Sequence, residues 1–393
     1  MKVLEKEAAI TAAAISQVGR KLDRGALDLT LDAILDALDQ SGLSVHDIDG
    51  LATWPSASPT TGQVSATTND IKEALGLRLN WYCSNQDAAG AYSGVINAVM
   101  AVATGQARHV LCFRTTTQFS ARQISRATQP TPGRPARRLA GYHSWQDPFN
   151  ALSPVNFFAM VTRRRMHEFG LTREQLGAVV LNTRKNAAAN PYAIYRSPLT
   201  MDEYLDARLI SDPLGLYDCD APIDGAVAVI VSSLDAARDL KRRPLRVEAM
   251  SGAQYGRDSW DQYEDLTGWA ATECAQVLWA RTDLKPSDVD VANLYDGFSI
   301  QTLVWLEALR FCGRGESGPF VEGGQRIGLA SPLPLNTGGG QLSAGRLHGM
   351  GLLWESCIQL WGEGGDRQVR DAIVALTASG GGPRGAALLL VRE

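Results

Sequence analysis

Two short segments in the second half of the chain carry side chains that could bind an anion or transfer a proton. Residues 335–351, LNTGGGQLSAGRLHGMG, hold four glycines in their first eleven residues, followed by Arg346 and by His348, the only histidine of the C-terminal half. Because glycine costs entropy to order, such a run favours a loop whose backbone approaches another group closely. An arginine and a histidine at the end of that loop indicate a binding or catalytic site.

The second segment, NLYDGFS, places Tyr295 and Asp296 side by side. A phenol can donate a hydrogen bond to an oxyanion or, where a neighbouring cation lowers its pKa, transfer a proton. Tyr295 and His348 are therefore the candidate catalytic pair. The alternatives are that Tyr295 only caps a strand end and that His348 is structural. Asp296 is a further candidate, better suited to orienting loop backbone than to reacting.

Length and composition exclude several classes of protein. At 393 residues the chain exceeds what one hydrophobic core usually supports, so two domains or two fused halves are expected. A net charge of -4 gives no reason to expect nucleic acid as a partner. No run of about 18 apolar residues predicts a membrane span, and the N-terminus lacks a signal-peptide pattern, which favours a cytoplasmic protein. The six cysteines lack the close spacing of a zinc or redox site, so no metal is expected.

An internal repeat predicts an α/β fold of two similar halves, residues 1–235 and 236–393. In each half an amphipathic helix precedes a strand, and a helix opened by glycine later leads to another strand. Two matching series in the same order indicate one topology repeated about a pseudo-twofold, with a site near the seam. The residues predicted to share a helix face are Leu27, Leu31, Ile34, Leu35 and Leu38 in the first half, and Leu266, Ala270, Cys274, Val277 and Leu278 in the second.

A long insertion, about 114–220, interrupts the first half. No acidic residue lies between Asp87 and Asp147, whereas the segment TPGRPARRLAG contains Arg137 and Arg138. This segment is either a flexible solvated loop or a clamp for a phosphorylated ligand, because arginine binds phosphate bidentately.

Four segments, in this order, resemble the motifs of the thiolase superfamily: DCDAPIDGAVAVIV, NLYDGFS, NTGGGQLSAGRLHG and ASGGG. The resemblance runs over essentially the whole chain. It implies a thiolase-like fold of two βαβαβαββ halves, a homodimer, and an acyl-CoA bound where the halves meet. Coenzyme A is then part of the substrate, and no tightly bound cofactor is expected. The implied CoA contacts are Gly338, Gly339, Gly340, Gly381, Gly382, Arg137 and Arg138, with Arg163 to Arg165 as a second candidate for the phosphates.

The chain departs from the thiolase pattern at its reactive positions. The position of the nucleophilic cysteine falls on Ala88, and that of the second cysteine falls on Ala378 or Gly297, so all three lack sulfur. Cys83, five residues before Ala88, is either a displaced nucleophile or a buried cysteine at a strand end. The histidine of the family's GHP motif aligns with Arg346, two residues before His348.

A cysteine-less branch of the superfamily, often called lipid-transfer proteins, carries YD in the first motif and HG in the second, as this chain does. Some of its members are aldolases in steroid side-chain degradation and work with a partner that has an OB-fold and a zinc ribbon. The resemblance implies such a partner here, in a heterotetramer. In those aldolases a second tyrosine takes the place of Arg346, and this chain lacks it.

The sequence thus predicts retro-aldol cleavage of a β-hydroxyacyl-CoA without a covalent cysteine intermediate. Tyr295 and His348 would move protons, and Arg346 or backbone N–H groups of the glycine loop would hold the enolate oxygen. The apolar segment FNALSPVNFFAM, 149–160, favours a bulky hydrophobic acyl group. Two alternatives stay open: acyl transfer through Cys83, and a non-catalytic subunit that binds acyl-CoA.

Overall fold

The computed structural model describes residues 3–55, 65–85, 89–121, 146–149, 151 and 153–393. Nine strands form one mixed sheet in the order β3-β2-β4-β7-β1-β8-β11-β10-β9, and β5 and β6 form a separate hairpin. The strands are β1 Ala8–Ile15, β2 Gly50–Thr53, β3 Trp81–Ser84, β4 His109–Thr117, β5 Leu209–Ser211, β6 Leu214–Gly215, β7 Asp224–Ser233, β8 Leu245–Ser251, β9 Val291–Asn293, β10 Val374–Gly380 and β11 Gly385–Arg392.

The same strand order occurs in both halves of the sheet. In the first half β1 pairs antiparallel with β7, β7 antiparallel with β4, and β4 and β3 parallel with β2. In the second half β8 pairs antiparallel with β11, β11 antiparallel with β10, and β10 parallel with β9. A parallel bridge from Ala292 to Leu335 occupies the place that β3 has in the first half. The two halves therefore repeat one topology.

The halves join through β1 and β8, which pair antiparallel at Ala9 with Arg246 and at Ile10 with Leu245. The boundary predicted between residues 235 and 236 falls between the end of β7 and the start of β8. The division into two units at that point stays a prediction.

The helices lie in layers on the faces of this sheet. They are α1 Ala26–Ser41, α2 Thr68–Leu75, α3 Ser93–Ala103, α4 Pro154–Phe169, α5 Arg173–Ala187, α6 Met201–Leu205, α7 Leu234–Ala237, α8 Trp269–Trp279, α9 Ser299–Ala308, α10 Ser317–Val321, α11 Gly340–Ser343 and α12 Met350–Trp361. Helices α3 and α12 share one buried cluster with strands of both halves, so they form the central layer. Helix α1 covers the first half from outside, and α8 and α9 cover the second.

The predicted apolar face of α1 was wrong in part. Leu27 and Leu35 are exposed, and the buried stripe instead contains Leu29, Ala33 and Ala37 beside Ile34 and Leu38. The small side chains of these alanines allow α1 to lie close to β7. Larger side chains, such as those of Leu27 and Leu35, would hold the helix further from the strand if they faced it. In α8 the predicted face is confirmed at Ala270, Cys274 and Leu278.

The insertion predicted to start at about 114 begins only after β4, and its described part contains α4 to α6 and the hairpin β5–β6. Helix α5 packs against the glycine-rich loop. The Nδ2 groups of Asn182 and Asn186, both in α5, donate to the carbonyl oxygen of Leu335, each at 3.0 Å. Just beyond this helix, Asn190 Nδ2 donates to the carbonyl of Gly338 at 2.8 Å. These amides fix the loop backbone from the side of the insertion. Among the described residues no helix is long and apolar enough to cross a membrane.

Candidate active site

Tyr295 and Asp296 lie in the loop between β9 and α9, against the start of the glycine-rich loop. Asn336 joins the two loops, because its Oδ1 accepts from the backbone N–H of Leu294 at 2.7 Å and its Nδ2 donates to the Leu294 carbonyl at 3.0 Å. Asn336 is fully buried with a positive φ of 49°, a conformation that asparagine tolerates better than most residues. The two segments selected from the sequence therefore form one site.

Asp296 holds the backbone of the glycine-rich loop. Its carboxylate accepts from the N–H groups of Gln341 at 2.7 Å and Leu342 at 3.3 Å. Gly340 has a φ of 59°, and a Cβ there would overlap the Asp296 carboxylate, so this position needs glycine. Burial raises the pKa of Asp296 to about 7. These contacts agree with the interpretation that Asp296 orients loop backbone, and a direct role in the reaction stays a prediction.

His348 lies at the end of the same loop, immediately before α12. It is buried, its φ is 53°, and its carbonyl oxygen accepts from Ser379 Oγ of β10 at 3.1 Å. Its ring centroid is 5.6 Å from that of Trp54, which follows β2. Strand ends of both halves therefore position this imidazole.

Arg114, near the middle of β4, is the closest described cation to His348. One guanidinium nitrogen, Nη2, is 3.0 Å from His348 Nδ1, and the other, Nη1, donates to the Trp54 carbonyl at 3.1 Å. The side chain is buried, with its residue only 1% exposed, and burial lowers the pKa of the guanidinium to about 9. No carboxylate of the described residues forms an ion pair with it. The sequence analysis did not select Arg114 as a site residue. An arginine within the apolar segment HVLCFRTTT could have indicated it, because this strand is buried throughout.

Arg346, two residues before His348, pairs with Asp220. Its Nε is 2.8 Å from Asp220 Oδ2, and its backbone N–H donates to the carbonyl of Ala221 at 2.9 Å. The backbone N–H of Asp220 donates in turn to the carbonyl of Gly297 at 3.0 Å. The end of the insertion thus connects the two loops of the site. Asp220 was not among the predicted site residues, although it lies in the segment DCDAPIDG.

Burial favours the neutral forms of both predicted proton carriers. It lowers the pKa of His348 well below the usual range, and the cations Arg114 and Arg346 lower it further. It raises the pKa of Tyr295 to about 12, and the negative charge of Asp220 acts in the same direction, against the opposing effects of Arg346 and the Gln341 amide. At neutral pH the site therefore holds a protonated phenol and an uncharged imidazole between two arginines.

Comparisons with known proteins agree with this geometry. A family model described as "Thiolase C-terminal domain-like" matches residues 252–392. The 17-hydroxy-3-oxo-4-pregnene-20-carboxyl-CoA lyase of Mycobacterium tuberculosis is 35% identical over 98% of this chain and 100% of its own. The steroid side-chain-cleaving aldolase of Thermomonospora curvata is 34% identical over 99% of both chains. The chain belongs to the thiolase superfamily.

A solved structure, the Ltp2-ChsH2(DUF35) aldolase, places the chain more narrowly within the superfamily. It matches with a TM-score of 0.86 and 32% identity, covering 100% of this chain and 99% of that chain. The thiolase-like fold, predicted from four sequence motifs, is confirmed, and so is the resemblance to the aldolase branch, predicted from YD, HG and the missing cysteines.

The positions that hold reactive cysteines in thiolases hold other residues in this chain. Ala378 is buried in β10, and a Cβ at Gly297 would lie 2.7 Å from Cε1 of Tyr295, so the tyrosine ring fills the space of a side chain there. Ala88 lies outside the described residues. Cys83 is in the edge strand β3, where its Sγ accepts from Asn97 Nδ2 at 3.4 Å, and β2 separates it from the strand of Arg114. None of its described contacts is with Tyr295, Arg346 or His348.

The glycines predicted to contact CoA lie where side chains would meet protein atoms. A Cβ would approach Glu355 at Gly338, Ala187 at Gly339, Asp296 at Gly340, Trp305 at Gly381 and Trp260 at Gly382. Close packing explains these glycines, and their contact with CoA stays a prediction.

Not all of the arginines predicted to contact the CoA phosphates can be assessed in the structure, and one of them is buried. Arg137 and Arg138 lie outside the described residues. Arg165 is wrong as a phosphate ligand, because it is buried in an ion pair with Glu307 and donates to the Thr267 carbonyl.

Proposed function

We propose that the chain is a carbon–carbon lyase that cleaves a β-hydroxyacyl-CoA by a retro-aldol reaction, without a covalent cysteine intermediate. The observation that carries this proposal is the cluster of Tyr295, His348, Arg114 and Arg346 at a site where the two thiolase cysteine positions that are described hold Ala378 and Gly297. Two relatives of full length, at 35% and 34% identity, are a CoA-ester lyase and an aldolase.

The reaction needs one group for the β-hydroxyl proton and one for the thioester. As the proton leaves the hydroxyl, the bond between the α and β carbons breaks and its electrons pass to the thioester, which becomes an enolate. The hydroxyl proton passes to the Tyr295 phenol as the phenol releases its own proton towards Asp220, whose negative charge acts on it. A proton then returns by the same route to the α carbon of the enolate, which completes the shorter acyl-CoA. His348 acts at the thioester end, where Arg114 and Arg346 provide positive charge for the enolate. No cofactor is required beyond the CoA of the substrate.

We place the bulky acyl group against the apolar side of a cavity of about 670 Å³. Phe157, Met160 and Trp260 line that side, and charged residues such as Glu168, Asp261 and Arg314 line the rest. The Phe158 ring lies between this wall and the site, 5.5 Å from Trp260 and 4.7 Å from Phe298, which is three residues after Tyr295. A volume of this size is typical of ligand pockets, which are roughly 300–1,000 Å³. Phe157 and Met160 belong to the apolar segment 149–160 selected from the sequence.

We also propose that the active form contains an accessory protein with an OB-fold and a zinc ribbon, in a heterotetramer. The support is the similar aldolase, which is a complex of an Ltp2 protein with a ChsH2 DUF35 protein.

A homodimer of this chain would form the centre of the heterotetramer. Strand β3 ends the nine-stranded sheet, and its Tyr82 is 65% exposed, so this edge is available for pairing with a second copy. Light scattering should give about twice the mass of one chain, and a single-chain mass at micromolar concentration would contradict the dimer.

The decisive experiment is an assay of the purified chain, alone and with a co-expressed DUF35-type partner, on a steroid-like β-hydroxyacyl-CoA. Mass spectrometry should detect a shorter acyl-CoA and a ketone in equal amounts, with no acyl adduct on Cys83. Thiol-dependent acyl transfer, or an adduct on Cys83, would support the acyltransferase alternative. Binding of acyl-CoA without any turnover in the complex would support the non-catalytic alternative.

A further inference from the structure

We infer that Arg114 is a positioning residue that makes His348 a permanent hydrogen-bond donor to the reacting thioester and prevents it from acting as a base. The guanidinium holds Nδ1 of the imidazole as an acceptor, so the proton of the neutral ring lies on Nε2. The catalytic part of this inference rests on the proposed function, whereas the state of the imidazole can be measured without it.

The tautomer follows from which groups can donate. A guanidinium has five N–H donors and no acceptor, so the contact of 3.0 Å between Arg114 Nη2 and His348 Nδ1 requires a lone pair on Nδ1. A neutral imidazole carries one proton, and that proton must then be on Nε2. The ring can donate from Nε2 and has no second lone pair with which to accept a proton.

The guanidinium is itself fixed in orientation. Nη1 donates to the backbone carbonyl of Trp54 at 3.1 Å, and Cζ lies 4.7 Å from the centroid of the Trp54 ring. Two hydrogen bonds and a cation–π contact therefore determine which nitrogen faces His348. The third nitrogen, Nε, is buried and has no hydrogen-bond partner in the part of the chain that the structure describes.

The charge of Arg114 is not balanced by a carboxylate of the described residues. A buried cation without a counter-ion is costly, and this cost falls when an anion forms nearby. Protonation of His348 would place a second cation 3.0 Å from the first, which is unfavourable. The substrate enolate is an anion that would form next to the imidazole, so the Arg114–His348 pair favours the enolate over the ground-state thioester.

The test compares two substitutions of Arg114 with the matched surface change Arg370→Met. Arg370 is exposed and pairs only with Asp371 among the described residues. Arg114→Met removes the guanidinium donors that face Nδ1, whereas Arg114→Lys keeps a cation and a donor. Imidazole nitrogen chemical shifts of the ¹⁵N-histidine-labelled chain report both tautomer and protonation, and the signals of His348 are those lost in His348→Gln.

We expect the imidazole of the wild-type chain to be neutral, with its proton on Nε2, at pH 7 and still at pH values below the usual histidine pKa of about 6.5. In Arg114→Met both tautomers should appear and the pKa of His348 should rise, while Arg114→Lys and Arg370→Met retain the wild-type state. A wild-type proton on Nδ1, or a ring unaffected by Arg114→Met, would overturn the inference. If Arg114→Met does not fold, the wild-type tautomer and the Lys variant still decide it.

Kinetics of the assembled enzyme test the catalytic part. Arg114→Met should lower kcat by about 100-fold, the usual effect of losing an oxyanion donor, with KM for the acyl-CoA nearly unchanged. An equal rise in KM at constant kcat would instead show that Arg114 binds the ground state and the transition state equally well, and would overturn its catalytic role. Absence of any lyase activity in the wild-type complex, together with the expected nitrogen shifts, would contradict the proposed function and leave the assigned state of His348 standing.

Discussion

At the scale of residues, burial raises the pKa of Tyr295 and lowers the pKa of His348. Both shifts favour the uncharged form, so the phenol and the imidazole are uncharged at neutral pH. The charges of the site are those of Arg114, Arg346 and Asp220, together with Asp296, which is partly ionised at neutral pH because its pKa is about 7. Tyr295 must therefore release its own proton as it accepts one from the substrate, and a variant that lacks the hydroxyl cannot do so.

Tyr295→Phe keeps the ring and its packing and removes the hydroxyl. We expect kcat/KM for the β-hydroxyacyl-CoA to fall by about 100-fold or more, which is the usual size of a general acid–base contribution. Cys83→Ser is the matched control, because Cys83 has no described contact with Tyr295, and its rate should stay nearly constant. Full activity of Tyr295→Phe, or loss of activity in Cys83→Ser, would contradict the non-covalent mechanism.

The depressed pKa of His348 makes the stability of the fold depend on pH. Between this low pKa and about 6.5, the unfolded imidazole binds a proton that the folded one does not, so stability is lost as the pH falls. The loss approaches about 1.4 kcal/mol per pH unit well below pH 6.5 and fades as the pH rises above 7. His348→Gln removes this dependence. The free energy of unfolding of His348→Gln should therefore come closer to that of the wild type as the pH falls from 7 to 5.

Urea unfolding of both chains at several pH values measures this difference. His46→Gln, a substitution of an exposed histidine, is the matched control. A difference between wild type and His348→Gln that is the same at pH 5 and pH 7 would mean that the imidazole is protonated in the folded chain.

Sequence reasoning found the residues that lie in motifs and missed the one that does not. Tyr295, Asp296, Arg346 and His348 could be selected because they stand beside glycines in two short segments. Arg114 contacts His348 across 234 positions of the chain. Such a contact depends on how β4 lies relative to the loop before α12, which residue spacing does not contain.

At the scale of elements, the site depends on how the glycine-rich loop is held. Asp296 accepts two backbone N–H groups at the start of α11, and Asn336 joins the loop to the residue after β9. Glycine content predicted a loop that approaches other groups closely, and this is confirmed at Gly340 and Gly339. The partners of these glycines, Asp296 and Ala187, could not be predicted because they come from distant elements.

Substitutions of Asp296 separate its structural role from a chemical one. Asp296→Asn keeps an oxygen that can accept from Gln341 N–H, so it should fold and retain most of its activity. Asp296→Ala leaves both N–H groups without this partner and should lower the free energy of unfolding by about 1–3 kcal/mol. Loss of activity in a folded Asp296→Asn would show that the carboxylate takes part in the reaction.

The pH dependence of the Asn variant provides an independent measurement. Burial raises the pKa of Asp296 to about 7, so the stability that its protonated form contributes at acid pH is lost as the pH rises towards 7. Asp296→Asn cannot ionise and should gain stability relative to wild type between pH 5 and pH 7.5, as measured by urea unfolding.

At the scale of the whole molecule, the site lies where the two halves meet. Arg114 belongs to a strand of the first half, Tyr295 follows a strand of the second, and the described insertion covers both loops. The repeat in the sequence predicted two similar halves and a site at their seam, because each half carries its own series of helices and strands. It did not predict that β1 and β8 pair to form one continuous sheet, which depends on how the halves associate.

The proposed acyl cavity is also a property of the whole molecule, because α4 and the segment before α8 form its walls. Met160 lines it and is 52% exposed, so Met160→Glu adds a charge to the apolar wall without removing a packed core residue. Desolvation of this charge by a hydrophobic ligand is unfavourable, and we expect KM for a steroid-like acyl-CoA to rise about tenfold, equivalent to about 1.4 kcal/mol.

Two controls test whether the effect of Met160→Glu is specific to the cavity: a short-chain substrate and the same substitution at a distant exposed residue. KM for a short-chain β-hydroxyacyl-CoA should stay constant in Met160→Glu, because a short acyl group does not reach the cavity. Ile373→Glu adds the same charge at another exposed apolar residue, away from the cavity lining, and should leave both KM values unchanged. An equal rise in KM for short and bulky substrates would place CoA in the cavity. Unchanged KM for both would mean that the bulky acyl group binds elsewhere, and the partner protein would then have to supply its binding surface.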